Sequence, residues 1–184
     1  MDLSWRFDLW YQGLEKSPKD TGRVEALVIR PPAGGHGARE IVDRVRVTPE
    51  AGIEGDRWSV DEQRTGLDQI SIVNIHVISS LAGPELERRA LSGDNLHVDL
   101  DLTEENLPVG TLLEIGSALL VVSSQPHMPC KHFVERFGIT AVKKVLRASK
   151  KGRRGRGVIC MVKRAGEFGV GDAIHVVRGD SQAG

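Results

Sequence analysis

The sequence predicts a mainly β domain, built as a barrel or sandwich with two helices. Short runs rich in Val, Ile and Leu recur between Gly and Pro punctuation, the spacing of an all-β fold. Two strands, TLLEI and AIHVV, are each entered through Val-Gly, at Val109-Gly110 and Val170-Gly171. Glycine tolerates the backbone angles of a corner at which a sheet bends and closes. The 184 residues suffice for one such domain, since ~100–200 residues per domain is usual.

Taken in order, residues 1–20 form an aromatic arm. Trp5, Phe7, Trp10 and Tyr11 are four of the eight aromatics, and Ser17-Pro18 ends the segment. Such an arm packs its rings onto the body or serves as a flap for a partner, a second copy in a homodimer included. The domain proper is expected over 21–179 and a disordered tail over 180–184. Val24–Arg30 is a strand ended by Pro31-Pro32, because proline cannot donate to a ladder. Glu40–Thr48 alternates apolar and polar, the period of a half-buried strand. Gln69–Ser80 is rich in Ile and Val and starts as a strand, and Pro84–Leu91 is a short helix opened by proline. Thr111–Ser123 reads as two strands around a tight turn at Gly116-Ser117. Apolar residues from Phe133 to Leu146 recur near helical spacing and predict a helix over 133–149. Gly157–Lys163 and Ala173–Arg178 are strands joined through Gly166, Gly169 and Gly171.

Composition excludes several classes. Twenty-five Lys and Arg balance twenty-five Asp and Glu, so no global field draws in nucleic acid or an anionic membrane. No uncharged apolar stretch approaches the ~20 residues of a spanning helix. The N-terminus carries Asp2 and Asp8 where a signal peptide would be basic and then apolar, which points to the cytoplasm. Two cysteines make no disulfide framework.

The sharpest chemical feature is Gln125-Pro126-His127-Met128-Pro129-Cys130-Lys131-His132. Two prolines fix the loop, and Cys130 lies just before a helix, whose positive end stabilises anions. A thiol there, beside Lys131, His127 and His132, is expected to ionise more readily than a free cysteine, and a thiolate is both nucleophile and soft metal ligand. Zinc fits poorly, because His127, Cys130 and His132 are too close in sequence for a tetrahedral set from one loop. Cys160 sits in the apolar strand VICMV and reads as inert core. Gly52-Ile53-Glu54-Gly55-Asp56-Arg57-Trp58 is a tight loop, either a turn with a surface ion pair or an oxyanion site to which Arg57 adds a fork of donors. In Ser92-Gly93-Asp94-Asn95-Leu96-His97, Gly93 fits a helix C-cap, and Asn95 has the donor and acceptor that suit a heterocycle's amide edge. Lys143–Arg156 is more than half basic. It is a solvated helix end or a phosphate site, and for nucleic acid it lacks interleaved aromatics. His36, His76, His97 and His175 are scattered and read as structural.

Together these segments resemble the MOSC domain, the family named for the C-terminal domain of molybdenum cofactor sulfurase. The resemblance runs from about Val24 to Val177. GIEGDRW resembles the family's Gly-x-x-Gly-Asp-Arg-His loop, with Trp58 where histidine is usual. SGDNLHV is similar to its Gly-Glu-Asn segment, VGTLLEIGSALLVVSSQPHMPC to the strand pair leading to its functional cysteine, and GRGVICMVKRAGEFGVGDAIHVV to its closing strands.

The resemblance implies a strongly bent β-barrel of the pyruvate-kinase β-barrel-like kind and a role with the molybdenum cofactor (molybdopterin). It implies Cys130 as ligand to molybdenum or as persulfide carrier, and Gly55, Asp56, Arg57, Asn95, His127 and Lys131 at the cofactor, with the basic segment near its phosphate. The activity implied is reduction of N-hydroxylated small molecules, a molybdenum-dependent oxidoreductase. The chain shows no flavin or iron–sulfur motif of its own, so a separate reductase would deliver electrons. The alternative is a sulfur or cofactor carrier without turnover, served by a sulfur donor protein. At Trp58 the departure from the family pattern removes the usual hydrogen-bonding side chain.

Overall fold

A computed structural model of the chain describes residues 5–35 and 37–179. The tail 180–184 and His36 lie outside the described residues. In chain order the elements are α1 (Trp5–Gln12), β1 (Thr21–Ile29), β2 (Glu40–Val42), β3 (Arg44–Thr48), β4 (Gly52–Ile53), a 3-10 turn (Arg57–Val60), β5 (Ile70–Asn74), α2 (Ile75–Ala82), α3 (Leu86–Ala90), β6 (Leu96–Asp99), β7 (Leu112–Ile115), β8 (Ala118–Val122), α4 (Lys131–Lys150), β9 (Val158–Arg164), β10 (Gly166–Gly169) and β11 (Ala173–Val177).

Seven strands close into a barrel in the order β11-β7-β8-β9-β5-β6-β1, with β1 returning to β11 and β2 added beyond β1. Thr21–Arg23 pair with Ala173–His175, whereas Ala26 and Leu27 pair with β6. The register of β1 against β6 shifts between Val24 and Ala26, and such an extra residue bends a strand and sharpens its twist. Glycine makes the two Val-Gly corners: Gly110 and Gly171 have φ of +89° and +90°, and each donates its N–H to the neighbouring strand, to the Val122 and Val24 carbonyls.

Alternating residues fill the interior, among them Leu27, Ile72, Leu96, Leu120 and Ile174. A small sheet, β10-β3-β4, adds Phe168, Val45, Val47 and Ile53 to the same core. On the outside, Phe137 joins a cluster around Phe133 and Val145 to one around Val73 and Ile78, so the helical layer is fixed to the wall at β5.

The mainly β, bent-barrel expectation holds, with four helices among the described residues rather than two. The sequence DQISIVNIHVISS is a strand only to Asn74. There the Asn74 side chain accepts from the N–H groups of His76 and Val77 and starts α2, since an Asn N-cap satisfies amides that a strand would send sideways. The arm is also helical over Trp5–Gln12. It packs on the body: Trp10 Nε1 donates to Ser80 Oγ, and Asp8 meets Arg147 at 2.9 Å and Lys151 at 2.8 Å. No helix among the described residues is long and apolar enough to cross a membrane.

Candidate functional site

The ends of β1, β5 and β6 come together through two side chains that sequence reasoning placed at a cofactor. Asp56 follows a turn in which Gly55 has φ +83°, and its carboxylate caps the 3-10 turn by accepting from Trp58 N–H. It also accepts from Arg30 at three points, the backbone N–H, Nε and Nη2, at 2.9, 3.0 and 2.7 Å, and from Asn95 Nδ2 at 2.9 Å. Asn95 Oδ1 in turn accepts from Ser71 N–H and Ser71 Oγ, and its Nδ2 reaches Val28 O. Both residues are buried and internally bonded. They fix Arg30 from behind, and Asn95 turns no open amide edge to a heterocycle. Burial alone would raise the Asp56 carboxyl, but Arg30 and the backbone amides outweigh it and hold it below its ordinary value.

In front of this frame lies a cavity of about 310 Å³. Cys130 and five arginines line it among the described residues, Arg30, Arg39, Arg57, Arg136 and Arg156, with the carboxylates of Asp61 and Asp68 beside them. Their guanidiniums come from the end of β1, the approach to β2, the 3-10 turn, α4 and the approach to β9. Two of them are held below their ordinary values. Burial, then the charges of Arg136, Arg57 and Arg30, push Arg39 down to about 10, and Arg57 is lowered by burial and by Arg30. The C-cap of α3 is Leu91 rather than Gly93; Gly93, with φ +82°, lies two residues further on and makes room for a neighbour, since a Cβ there would stand 3.0 Å from Arg39 Nη2.

Cys130 is exposed. It caps α4, its carbonyl accepting from Phe133 N–H at 3.0 Å while its side chain makes no cap hydrogen bond, so the sulfur is not tied to the helix it begins. Trp58 gives the cavity a wall rather than a donor, because its Nε1–H is committed to Asp68 Oδ1 at 2.8 Å. Cys160 is buried in the core and its thiol is pushed up to about 12 by burial.

Behind Cys130 stands a buried charge cluster. Arg156 Nη1 donates to both Asp94 oxygens, at 2.7 and 2.6 Å, its Nη2 donates to Ser92 O, and its guanidinium lies 4.7 Å from the Phe133 ring centre. His127 Nε2 is 3.4 Å from Asp94 Oδ1. Burial, reinforced by Arg156, moves His127 down to about 3, and burial, with Arg89 and Arg156, moves His97 down to about 4. Burial would raise Asp94, but Arg156 and His127 hold it below its ordinary value.

Of the expected site residues, Cys130, Arg57 and His127 line the cavity. Asp56 and Asn95 stand behind it, while Gly55 and Lys131 are exposed and outside its lining. The basic segment is mostly spent elsewhere. Arg147, Lys151 and Arg153 surround Asp8 of the arm, Lys144 lies over the Trp10 ring, and Arg154 donates to Leu102 and Leu107 carbonyls. Only Arg156 of that segment reaches the cavity. Sequence reasoning missed Arg30, Arg39, Arg136 and Asp94 as site residues. Asp94 stands beside the singled-out Asn95, but the three arginines meet only through the fold.

The family model of the MOSC domain matches residues 68–175, more than half of the chain. This chain belongs to the MOSC domain family. MOSC domains are generally linked to the molybdenum cofactor. Solved structures agree on the fold. YuaD protein from Bacillus subtilis superposes with a TM-score of 0.61 at 23% identity, over 85% of this chain and 95% of that one. YiiM from Escherichia coli gives 0.55 at 24%, over 85% and 70%. YiiM from Geobacillus stearothermophilus gives 0.57 at 18%, over 88% and 78%. No curated protein matches the sequence.

The buried histidines predict a fold that loses stability in acid. Their folded values lie below the ordinary 6.5, so the unfolded chain binds more protons between those limits. Stability is complete above pH 6.5 and falls as pH drops toward 4, and Asp56 and Asp94 add loss in the same direction below that range. Between pH 7 and 5 the urea unfolding free energy is expected to fall by about 2 kcal/mol per histidine. A flat profile would show that both imidazoles titrate as if in water.

Proposed function

We propose that this MOSC domain binds the molybdenum cofactor with the Cys130 sulfur as the metal's protein ligand, and reduces N-hydroxylated compounds with electrons from a separate reductase. The observation that carries this is the convergence of five arginines on the cavity that Cys130 lines. The residues fit the group. A cavity of about 310 Å³ is of small-molecule size, an exposed sulfur is a soft ligand, and planar guanidiniums bind a phosphate by paired hydrogen bonds. Arg39 and Arg57, held below their ordinary values by burial and then by neighbouring cations, stay protonated, and an arriving anion relieves the crowding.

When bound, the cofactor supplies a metal able to exchange two electrons and take an oxygen atom. The protein positions the reactants. Asp56 and Asn95 hold Arg30 against the cavity, Asp94 holds Arg156, and the Trp58 ring screens one side from water. The balanced reaction is R–NHOH + 2 e⁻ + 2 H⁺ → R–NH₂ + H₂O.

The exposure of Cys130 also favours a second reading, sulfur carriage. There its sulfur attacks the outer sulfur of a donor persulfide, forming Cys130–S–SH and releasing the donor's thiolate, with no net oxidation. One experiment separates the two. Protein expressed with cofactor synthesis intact is assayed for molybdenum, pterin and turnover of N-phenylhydroxylamine with reduced viologen. Stoichiometric metal and pterin with turnover are expected. Neither group, with a persulfide on Cys130 by mass spectrometry, would move the protein to the carrier reading. Absence of all three would overturn both.

A further inference from the structure

Two cavities meet at the loop that carries Cys130. One is the cationic site. The other, about 510 Å³, adjoins it at His127 and Met128, residues that line both. Its lining is of another character: Val109, Pro126, Leu146 and Val158 provide apolar walls beside Met128. The charged groups it does have are one carboxylate, Glu104, with Lys150 and Arg154, and Arg154 Nη1 is bonded to two backbone carbonyls. No cluster of cations invites a phosphate. A small-molecule site is typically such an apolar enclosure with a few placed polar groups.

The polar group placed here is His127. Its side chain is 10% exposed, and its Nε2 faces the Asp94 carboxylate. The proton therefore belongs on Nε2, which leaves Nδ1 as an acceptor. That Nδ1 is buried and has no partner, although a buried polar atom normally finds one.

We propose that this second cavity receives the uncharged, largely apolar organic group of the substrate, an aromatic ring or a comparable flat group, packed against His127, the polar side chain that both cavities share. The inference rests on the redox reading above and deepens it. The cationic cavity takes the anionic cofactor, the apolar one takes the substrate's body, and the short loop where they meet carries both the shared histidine and Cys130. Substrates with an anionic organic group would then be poor.

The test uses two cavity-filling variants, Leu146→Trp on α4 and Val109→Phe at the exposed rim. The second sits in a surface turn, so a folding defect in the first would not decide the matter. The probe is 4-fluoro-N-phenylhydroxylamine, followed by fluorine NMR on the purified protein without any requirement for turnover. Wild type is expected to bind it, and each variant to bind at least ~10-fold more weakly, about the worth of burying one or two methylene equivalents of apolar surface. Calorimetry with inorganic phosphate should be unchanged by either variant. In loaded protein, KM for the fluoro compound should rise in both, while turnover of hydroxylamine itself, which has no organic group, should not move. Equal affinity in all three proteins would overturn the proposal. So would loss of probe binding in Arg57→Ala but not in the fillers, because the probe would then occupy the cationic cavity. Probe binding that responds to the fillers in protein lacking molybdenum and turnover would sink the redox reading and leave the apolar subsite standing.

Discussion

Replacing Asp94 by alanine is expected to cost about 3–5 kcal/mol of folding stability, the usual consequence of removing one partner from a buried ion pair. Asp94 is fully buried and takes two short hydrogen bonds from Arg156, itself only 5% exposed. Without the carboxylate, that guanidinium keeps one carbonyl and the Phe133 ring, and water reaches it poorly. Urea unfolding should show a lower midpoint at unchanged slope. The double variant Asp94→Leu with Arg156→Met should recover most of the loss, because an apolar pair of similar volume avoids desolvating two charges. It should also weaken phosphate binding, since one cation of the cavity is gone. A loss below about 1 kcal/mol in the single variant would mean that Arg156 finds another anion and that the cavity wall is not rigid.

The second large effect concerns the metal. Cys130→Ala is expected to abolish bound molybdenum and turnover while leaving the fold intact, with a stability change within about 0.5 kcal/mol as for an exposed position. The reason is geometric: Cys130 is exposed and its side chain plays no part in capping α4. Cys160→Ala is the control. Its thiol is part of the barrel core, so metal should be retained while stability falls. Undiminished molybdenum in Cys130→Ala would remove the sulfur from the ligand set.

Much of this architecture is legible in sequence, for a physical reason. Strands whose two faces differ advertise themselves by alternation, as in Arg44–Thr48, and the hairpin at Gly116 shows because its φ of +55° favours glycine. Segment 69–80 misleads because β5 is buried on both faces and α2 continues it with Ile75, Val77 and Ile78. An apolar run of that kind has no distinguishing period. The cap at Asn74 was the available clue. For the site, the cysteine loop and the Gly-Asp-Arg loop are local and could be read. The cluster of arginines could not, because Arg30, Arg39, Arg57, Arg136 and Arg156 lie far apart along the chain. Conversely, the basic stretch 143–156 reads as a solvated helix end or a phosphate site, yet Lys144, Arg147, Lys151 and Arg153 are occupied by the acidic and aromatic side chains of α1.

The closure of the barrel also bears on how the chain reaches its fold. Thr21 of β1 lies opposite His175 of β11, 154 positions away, and this pairing completes the ring. Contacts so remote in sequence demand a large loop-closure entropy before they return anything, which slows folding. On a ribosome adding ~5–20 residues per second, β1 emerges early and waits roughly 8–30 s for its last neighbour. Until β11 has been made, the N–H and C=O groups of Thr21–Arg23 remain an open strand edge, the kind of template on which chains aggregate. The strand pair that makes the finished domain edge-free at that seam is thus the one that leaves its nascent form most exposed.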